Sequence, residues 1–154
     1  MNIDVTDEQS LPVDTAGLRR LAEVVLAGEG LPDDTEVSIV FTSDEVIAAY
    51  NRRFMERDGP TDVLAFPLER LQPGTIPDRP PDAPPLVLGD VVIAPGRVAA
   101  QAERLGTTFE SEMALMVVHG LLHLLGYDHV DDADAELMER RERELLAEVG
   151  MVRR

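Results

Sequence analysis

Apolar residues recur at spacings of three and four between Asp14 and Gly28, where Leu18, Leu21 and Val25 share one face of a predicted helix closed by glycine. From Thr35 to Phe41 the spacing drops to two, which puts Val37, Ile39 and Phe41 on one side of a strand. Met1 to Val5 reads as a short strand of the same kind. Ser43 suits the N-cap of a helix with Ile47, Tyr50 and Phe54 on its buried side. The turn Asp58-Gly59-Pro60 ends that helix and leads into a β-rich run, Thr61 to Phe66. Leu86 to Ala94 is apolar except at Gly89 and Asp90, the pattern of a strand central in its sheet. Pro95 then suits the first turn of a helix that turns Val98, Ala102 and Leu105 inward.

Thr107-Thr108-Phe109-Glu110 has the form of a capping box, with Thr107 as N-cap and Glu110 reaching back to it. The helix that follows is apolar on nearly every side up to Leu125, which predicts a buried central helix, and Gly126 is placed to end it in a left-handed conformation. A last helix, Asp132 to Val149, carries Glu136–Arg140 and Glu139–Arg143 at i,i+4 and reads as a solvated, charged face. Residues 68–85 hold six of the eleven prolines and are expected to be a long surface loop. Four strands and five helices in this order predict one α/β (α+β) domain spanning residues 1–154.

Composition narrows the class. Hydrophobic residues make up 44% of the 154, enough to bury a core. The longest apolar stretch, Met113 to Gly126, is shorter than the roughly 20 residues a membrane span needs and contains two histidines. The absence of cysteine excludes disulfides and thiolate metal sites, and with the polar start MNIDVTDEQS it leads us to expect a soluble, cytoplasmic protein. All 14 basic residues are arginine, set against 30 acids, for a net charge of -16. That balance argues against a broad basic surface for nucleic acid.

All three histidines lie within one string, HGLLHLLGYDH, as His119, His123 and His129. Four residues apart on a helix, His119 and His123 project from one face about a turn apart, close enough to share one metal ion. The chain reversal at Gly126 can return His129 to the same point. Three nitrogen ligands with a fourth position open is the pattern of a catalytic zinc, although imidazoles also suit nickel, copper or iron. Burying unpaired imidazoles in an apolar helix would be costly, which weighs against three unrelated histidines. A zinc ion lowers the pKa of its bound water to about 7, which favours hydrolysis. The spacing follows the long zinc-protease pattern H-E-x-x-H-x-x-G-x-x-H, except that the glutamate, the general base in those proteases, is Gly120 here. Asp128, Asp62 and Asp90 are the remaining candidates for a base or a group supporting a ligand; Asp90, in an apolar strand, is expected to need a partner.

Together with PTDVLAFP at 60–67, LGDVVIAP at 88–95 and YNRRF at 50–54, the histidine string resembles the YbeY family of bacterial ribosomal-RNA maturation factors. The resemblance covers roughly residues 35 to 130. It implies a small mixed sheet carrying the metal-bearing helix, with His119, His123 and His129 as ligands of one ion, usually taken to be zinc. It further implies a metal-dependent, single-strand-specific endoribonuclease of late small-subunit maturation, acting at the 3′ end of small-subunit rRNA and in RNA quality control. Its implied partners are the small subunit, one of its ribosomal proteins and an assembly GTPase. Many members carry an arginine where this chain has Met55, so Arg52, Arg53 or Arg57 is the candidate to supply that charge, Arg53 and Arg57 being expected to share a face at i,i+4; Ala65 stands where serine is common.

Two other functions fit the same residues. One is a zinc-dependent peptidase, which Gly120 counts against; the other is a non-catalytic, zinc-stabilised assembly factor. Acidity is spread along the chain: residues 61–130 hold nine acids and four arginines, the remainder 21 and ten. An RNA enzyme built this way must draw its affinity from a metal, a few arginines or a partner that presents the RNA, and not from general phosphate neutralisation.

Overall fold

The computed structural model describes all 154 residues. The elements run β1 (Asn2–Asp7), α1 (Thr15–Gly28), β2 (Glu36–Phe41), α2 (Asp44–Met55), β3 (Val63–Pro67), β4 (Val87–Ile93), α3 (Pro95–Leu105), α4 (Phe109–Leu124) and α5 (Asp132–Glu148). The strands form one sheet in the order β1-β2-β4-β3; β1, β2 and β4 are parallel, and β3 runs antiparallel at an edge. This is the expected mixed four-stranded sheet with five helices, and the apolar strand β4 is interior, as its composition required. No helix is long and apolar enough to cross a membrane.

The two-residue period of the strands sorts side chains into two layers. Val37, Ile39 and Phe41 of β2, with Val91 and Ile93 of β4, face the main core with α1, α4 and α5. Leu64 and Val92 face the other way, where Ile47 of α2 covers them. Helix α4 lies at the centre, touching α1, α3, α5, β3 and β4, so it must be apolar on nearly every side. At Gly120 it approaches the sheet tightly. A Cβ there would sit 2.5 Å from Val91 Cγ1 and 3.3 Å from Val63 Cγ2, so the backbone of α4 lies directly on β3 and β4.

Several local expectations are corrected. Thr108, not Thr107, caps α4: its hydroxyl accepts from the Ser111 N–H at 3.1 Å, while the Thr107 hydroxyl donates to Glu112 at 2.8 Å. Leu105 is 38% exposed because it lies in the last turn of α3, past the end of its packed face. Tyr50 and Phe54 are exposed, since Ile47 and Asn51 take the buried stripe of α2. Glu136–Arg140 and Glu139–Arg143 do not form ion pairs; Glu139 instead faces Arg153, and Arg141 bonds Glu29 at 3.0 Å. Residues 68–85 have no helix or strand, as expected, but Leu71 and Ile76 pack against the core.

Gly120→Ala should therefore destabilise the fold although alanine is the better helix former. Overpacking of this kind costs about 1–3 kcal/mol, set against roughly 1 kcal/mol gained in helix propensity. Urea unfolding should show a net loss, and adding Val91→Ala should recover part of it. A Gly120→Ala protein at least as stable as the parent would mean that this contact is not tight.

Candidate metal centre

His119 and His123 stand one turn apart on α4, and their Nε2 atoms are 3.0 Å from each other. After α4, Gly126 takes φ +97, which a residue with a side chain resists, and a Cβ there would collide with the backbone carbonyl of Leu71. Glycine thus both reverses the chain and lets the 68–85 loop seat against the helix end. The reversal brings His129 back: its ring centroid is 5.8 Å from that of His119 and 5.1 Å from that of His123. Ligand atoms of all three lie within 4.8 Å of one another.

Hydrogen bonding on the far side of each helix ring determines what the near side offers. Nδ1 of His123 is 3.0 Å from the Tyr127 carbonyl oxygen, which can only accept, so Nδ1 carries the proton and the Nε2 lone pair is free. Burial first, then the neighbouring charges of His119 and His129, hold His123 below its ordinary pKa, favouring the neutral ring. Nδ1 of His119 lies 2.7 Å from Oε2 of Glu142, a carboxylate only 1% exposed on α5. Burial opposes that carboxylate's charge, but the hydrogen bond and charge of His119, followed by those of Arg153 at 2.9 Å, outweigh it and hold Glu142 below its ordinary pKa. An ionised Glu142 fixes a His119 proton on Nδ1 and leaves Nε2 turned to the cleft. Facing each other at 3.0 Å, the two Nε2 atoms either share a proton or give their lone pairs to one metal ion. The donor set therefore fits a divalent ion held by His119, His123 and His129, and an all-imidazole set is compatible with zinc and with other transition metals.

The histidines open into a cleft of about 720 Å³. Asp128 and Asp62 line it, and each gives one carboxylate oxygen to the backbone: Asp128 accepts the His129 N–H at 2.8 Å and Asp62 accepts the Val63 N–H at 2.9 Å. Asp128 thus shapes the turn that carries the third histidine. Asp90 is exposed on β4 and away from the cleft, so the expectation that it needs a buried partner does not hold.

Arg53 and Arg57 separate. Helix α2 ends at Met55, and Glu56 turns into a left-handed conformation with φ 55, so Arg57 leaves the helix and no longer shares a face with Arg53. Asn51, buried, holds this turn: its carbonyl accepts the Arg57 N–H and its side-chain amide donates to the Gly59 carbonyl at 3.0 Å. Arg57 consequently lines the cleft beside Met55, whereas Arg53 does not and lies over the ring of Phe54.

Two residues at the site were missed by sequence reasoning. Glu142 was assigned to a solvated face, yet it falls in the stripe Met138, Glu142, Leu145, Leu146, where an acid at a core position was the available signal. Arg70, in the proline-rich loop, also lines the cleft, and nothing in its local sequence marks it.

Comparisons with known proteins identify the family. Residues 2–150 match the family model described as Endoribonuclease YbeY. A protein named Endoribonuclease YbeY from Thermobifida fusca is 42% identical over 147 residues, covering 96% of this chain and 93% of the relative. A Mycobacterium sp. (strain KMS) protein of the same name is 39% identical over 148 residues, covering 96% and 83%. A solution structure of a Thermotoga maritima protein superposes with a TM-score of 0.58 at 28% identity, covering 96% of this chain and 91% of that one.

The hydrogen bond from His119 to Glu142 gives a direct expectation. Losing the carboxylate that orients a metal-binding imidazole typically costs about 10–100-fold in metal affinity. Glu142→Gln should weaken Zn²⁺ binding by that order in a competition titration with a chromophoric chelator, with far-UV circular dichroism unchanged. Unaltered Zn²⁺ affinity would show that Glu142 does not orient His119.

Proposed function

The chain belongs to the YbeY endoribonuclease family, and from that premise we propose that it is a metal-dependent endoribonuclease that cuts single-stranded RNA. One observation carries the metal dependence: the Nε2 atoms of His119 and His123 face each other at 3.0 Å, and ligand atoms of all three histidines lie within 4.8 Å of one another. A bound divalent ion supplies Lewis-acid activation at a phosphodiester, the chemistry that hydrolysis at neutral pH needs. The chain's own residues do the rest. Glu142 and the Tyr127 carbonyl keep both helix imidazoles in the tautomer that presents Nε2 to the cleft. Asp128 fixes the backbone of His129. Arg57 and Arg70, neither of them in an ion pair, are free to take phosphate oxygens along the cleft.

Within this proposal the substrate is small-subunit rRNA near its 3′ end, cut late in subunit maturation and in rRNA quality control, in the cytoplasm. A small-subunit ribosomal protein and an assembly GTPase are its proposed partners. With a net charge of -16 and few cations, the chain would need such a partner to deliver a polyanionic substrate.

A zinc-dependent peptidase is the second reading, and one feature favours it. Strand β3 is an edge strand paired only with β4, and α4 lies against it, so an extended peptide could add to its free side. Gly120 counts against this reading, since the tight packing on Val91 leaves no room for the acid that serves as base in peptidases of that spacing.

Two outcomes are expected. First, the purified protein should bind one divalent ion and cleave single-stranded RNA but not casein, and His123→Ala should lose the ion and nearly all cleavage. Equal cleavage by wild type and His123→Ala, in preparations free of host nuclease, would remove the catalytic role of the metal; ribosome association without any cleavage would favour a non-catalytic assembly factor. Second, Met55→Arg should strengthen RNA binding several-fold and steepen its salt dependence, because it adds a cation to the cleft wall. An unchanged salt slope would mean that RNA does not pass this wall.

A further inference from the structure

Tyr50, Phe54 and Phe66 form a three-ring cluster on the protein surface. Phe54 and Phe66 meet edge-on with centroids 5.5 Å apart, Tyr50 and Phe66 meet edge-on at 6.4 Å, and Tyr50 and Phe54 are 6.1 Å apart. The chain has four phenylalanines, two tyrosines and no tryptophan, so half of its aromatic side chains gather here. Phe54 is 53% and Tyr50 38% exposed, while Phe66 beneath them is half-buried against the Ile47, Leu64 and Val92 cluster. The guanidinium of Arg53 lies 5.2 Å from the centroid of Phe54 and makes no ion pair, and the neighbouring Arg52 is likewise unpaired.

The cluster is continuous with the histidine cleft. On α2, Asn51 and Met55 line the cleft while Tyr50 and Phe54, each one residue before them, belong to the cluster. On β3, Ala65 and Pro67 line the cleft and Phe66 between them belongs to the cluster. The two surfaces thus meet along the free edge of the sheet, and a strand leaving the cleft over that edge arrives at the rings.

We infer that this cluster is a stacking platform for unpaired nucleobases of the RNA flanking the cut, with Arg53 placed to take an adjoining phosphate. The inference rests on the reading of the cleft as a ribonuclease site. Its chemistry fits a single-stranded polyanion better than an apolar protein segment, because exposed aromatic faces are interleaved with unpaired arginines at the end of one helix. It also answers the charge problem: where phosphate neutralisation is scarce, stacking supplies affinity that does not depend on it. Stacking further restricts the substrate to unpaired RNA, since bases inside a duplex do not offer their faces.

The test is steady-state cleavage of a single-stranded oligoribonucleotide by the metal-loaded protein, alongside fluorescence anisotropy on the same strand and on an abasic strand of equal length. Phe54→Ala should raise KM and Kd by about tenfold and leave kcat within about twofold, with the same thermal midpoint as wild type. Phe54→Trp should retain affinity, Phe54→Leu should lose it, and the loss should vanish on the abasic strand. An unchanged KM in Phe54→Ala, or full affinity in Phe54→Leu, would overturn the platform and leave an apolar face for a protein partner. A wild type that neither binds nor cuts RNA would remove the ribonuclease reading and the platform together, whereas active wild type with an unaffected Phe54→Ala removes the platform alone.

Discussion

The rest of the site depends on one constraint: two imidazoles must be carried on a helix that is otherwise buried in apolar core. Helix α4 can lie on the sheet only because Gly120 has no side chain, and that packing fixes the height at which His119 and His123 emerge. Once there, each ring has one nitrogen facing protein and one facing the cleft. A buried nitrogen without a partner costs roughly 1–3 kcal/mol, so the protein side must answer both. Glu142 on α5 and the Tyr127 carbonyl do so, and their bonds leave the opposite nitrogens turned together into the cleft, where one ion can bridge them. Metal readiness is thus a consequence of satisfying the core.

The same constraint reaches the end of the chain. Glu142 is itself a buried charge, tolerable only when paired; Arg153 pairs with it at 2.9 Å, and Arg154 does the same for buried Glu112 at 2.7 Å. The last two residues of the chain therefore neutralise buried acids on α5 and α4. Four of the fourteen arginines, Arg79, Arg141, Arg153 and Arg154, are tied up with carboxylates in this way. Those lining the cleft, Arg57 and Arg70, are not. In so acidic a chain, the distribution of free cations says more about a polyanionic ligand than the net charge does.

Periodicity made most of the fold legible. The spacing of Val37, Ile39 and Phe41, the nearly continuous apolar run of α4 and the glycine stop at 126 each encode a local preference that tertiary packing then supports. The three histidines were legible because helical spacing alone brings two together and a reversed turn brings the third. What was not legible depended on contacts distant in sequence. Apolar side chains at Tyr50 and Phe54 look like core under any pattern rule, and only the placement of Asn51 inward, where it holds the turn at Gly59, rotates them into solvent. Glu142 looks like surface because acids usually are, and its burial is set by a histidine 23 residues earlier. Arg57 was expected to share a helical face with Arg53, but the left-handed Glu56 takes it off the helix and to the cleft wall.

Gly120 also bears on which chemistry the scaffold can support. In peptidases with this histidine spacing, the residue after the first histidine is an acid that reaches the reacting water. Here that position faces the sheet, and even one added carbon would meet Val91 at 2.5 Å. A base at this place would require α4 to move away from β4, and that movement would shift both helix histidines with it. The two requirements conflict: tight seating places the ligands, and tight seating excludes the acid. Asp62 and Asp128 each give one oxygen to a backbone N–H, and no carboxylate of the cleft occupies the position directly after the first histidine. In the proposed reaction, hydrolysis would lean on the ion and on a substrate that carries its own negative oxygens. A phosphodiester brings such oxygens and a peptide bond does not, so the packing of one glycine favours phosphodiester chemistry on the same three histidines.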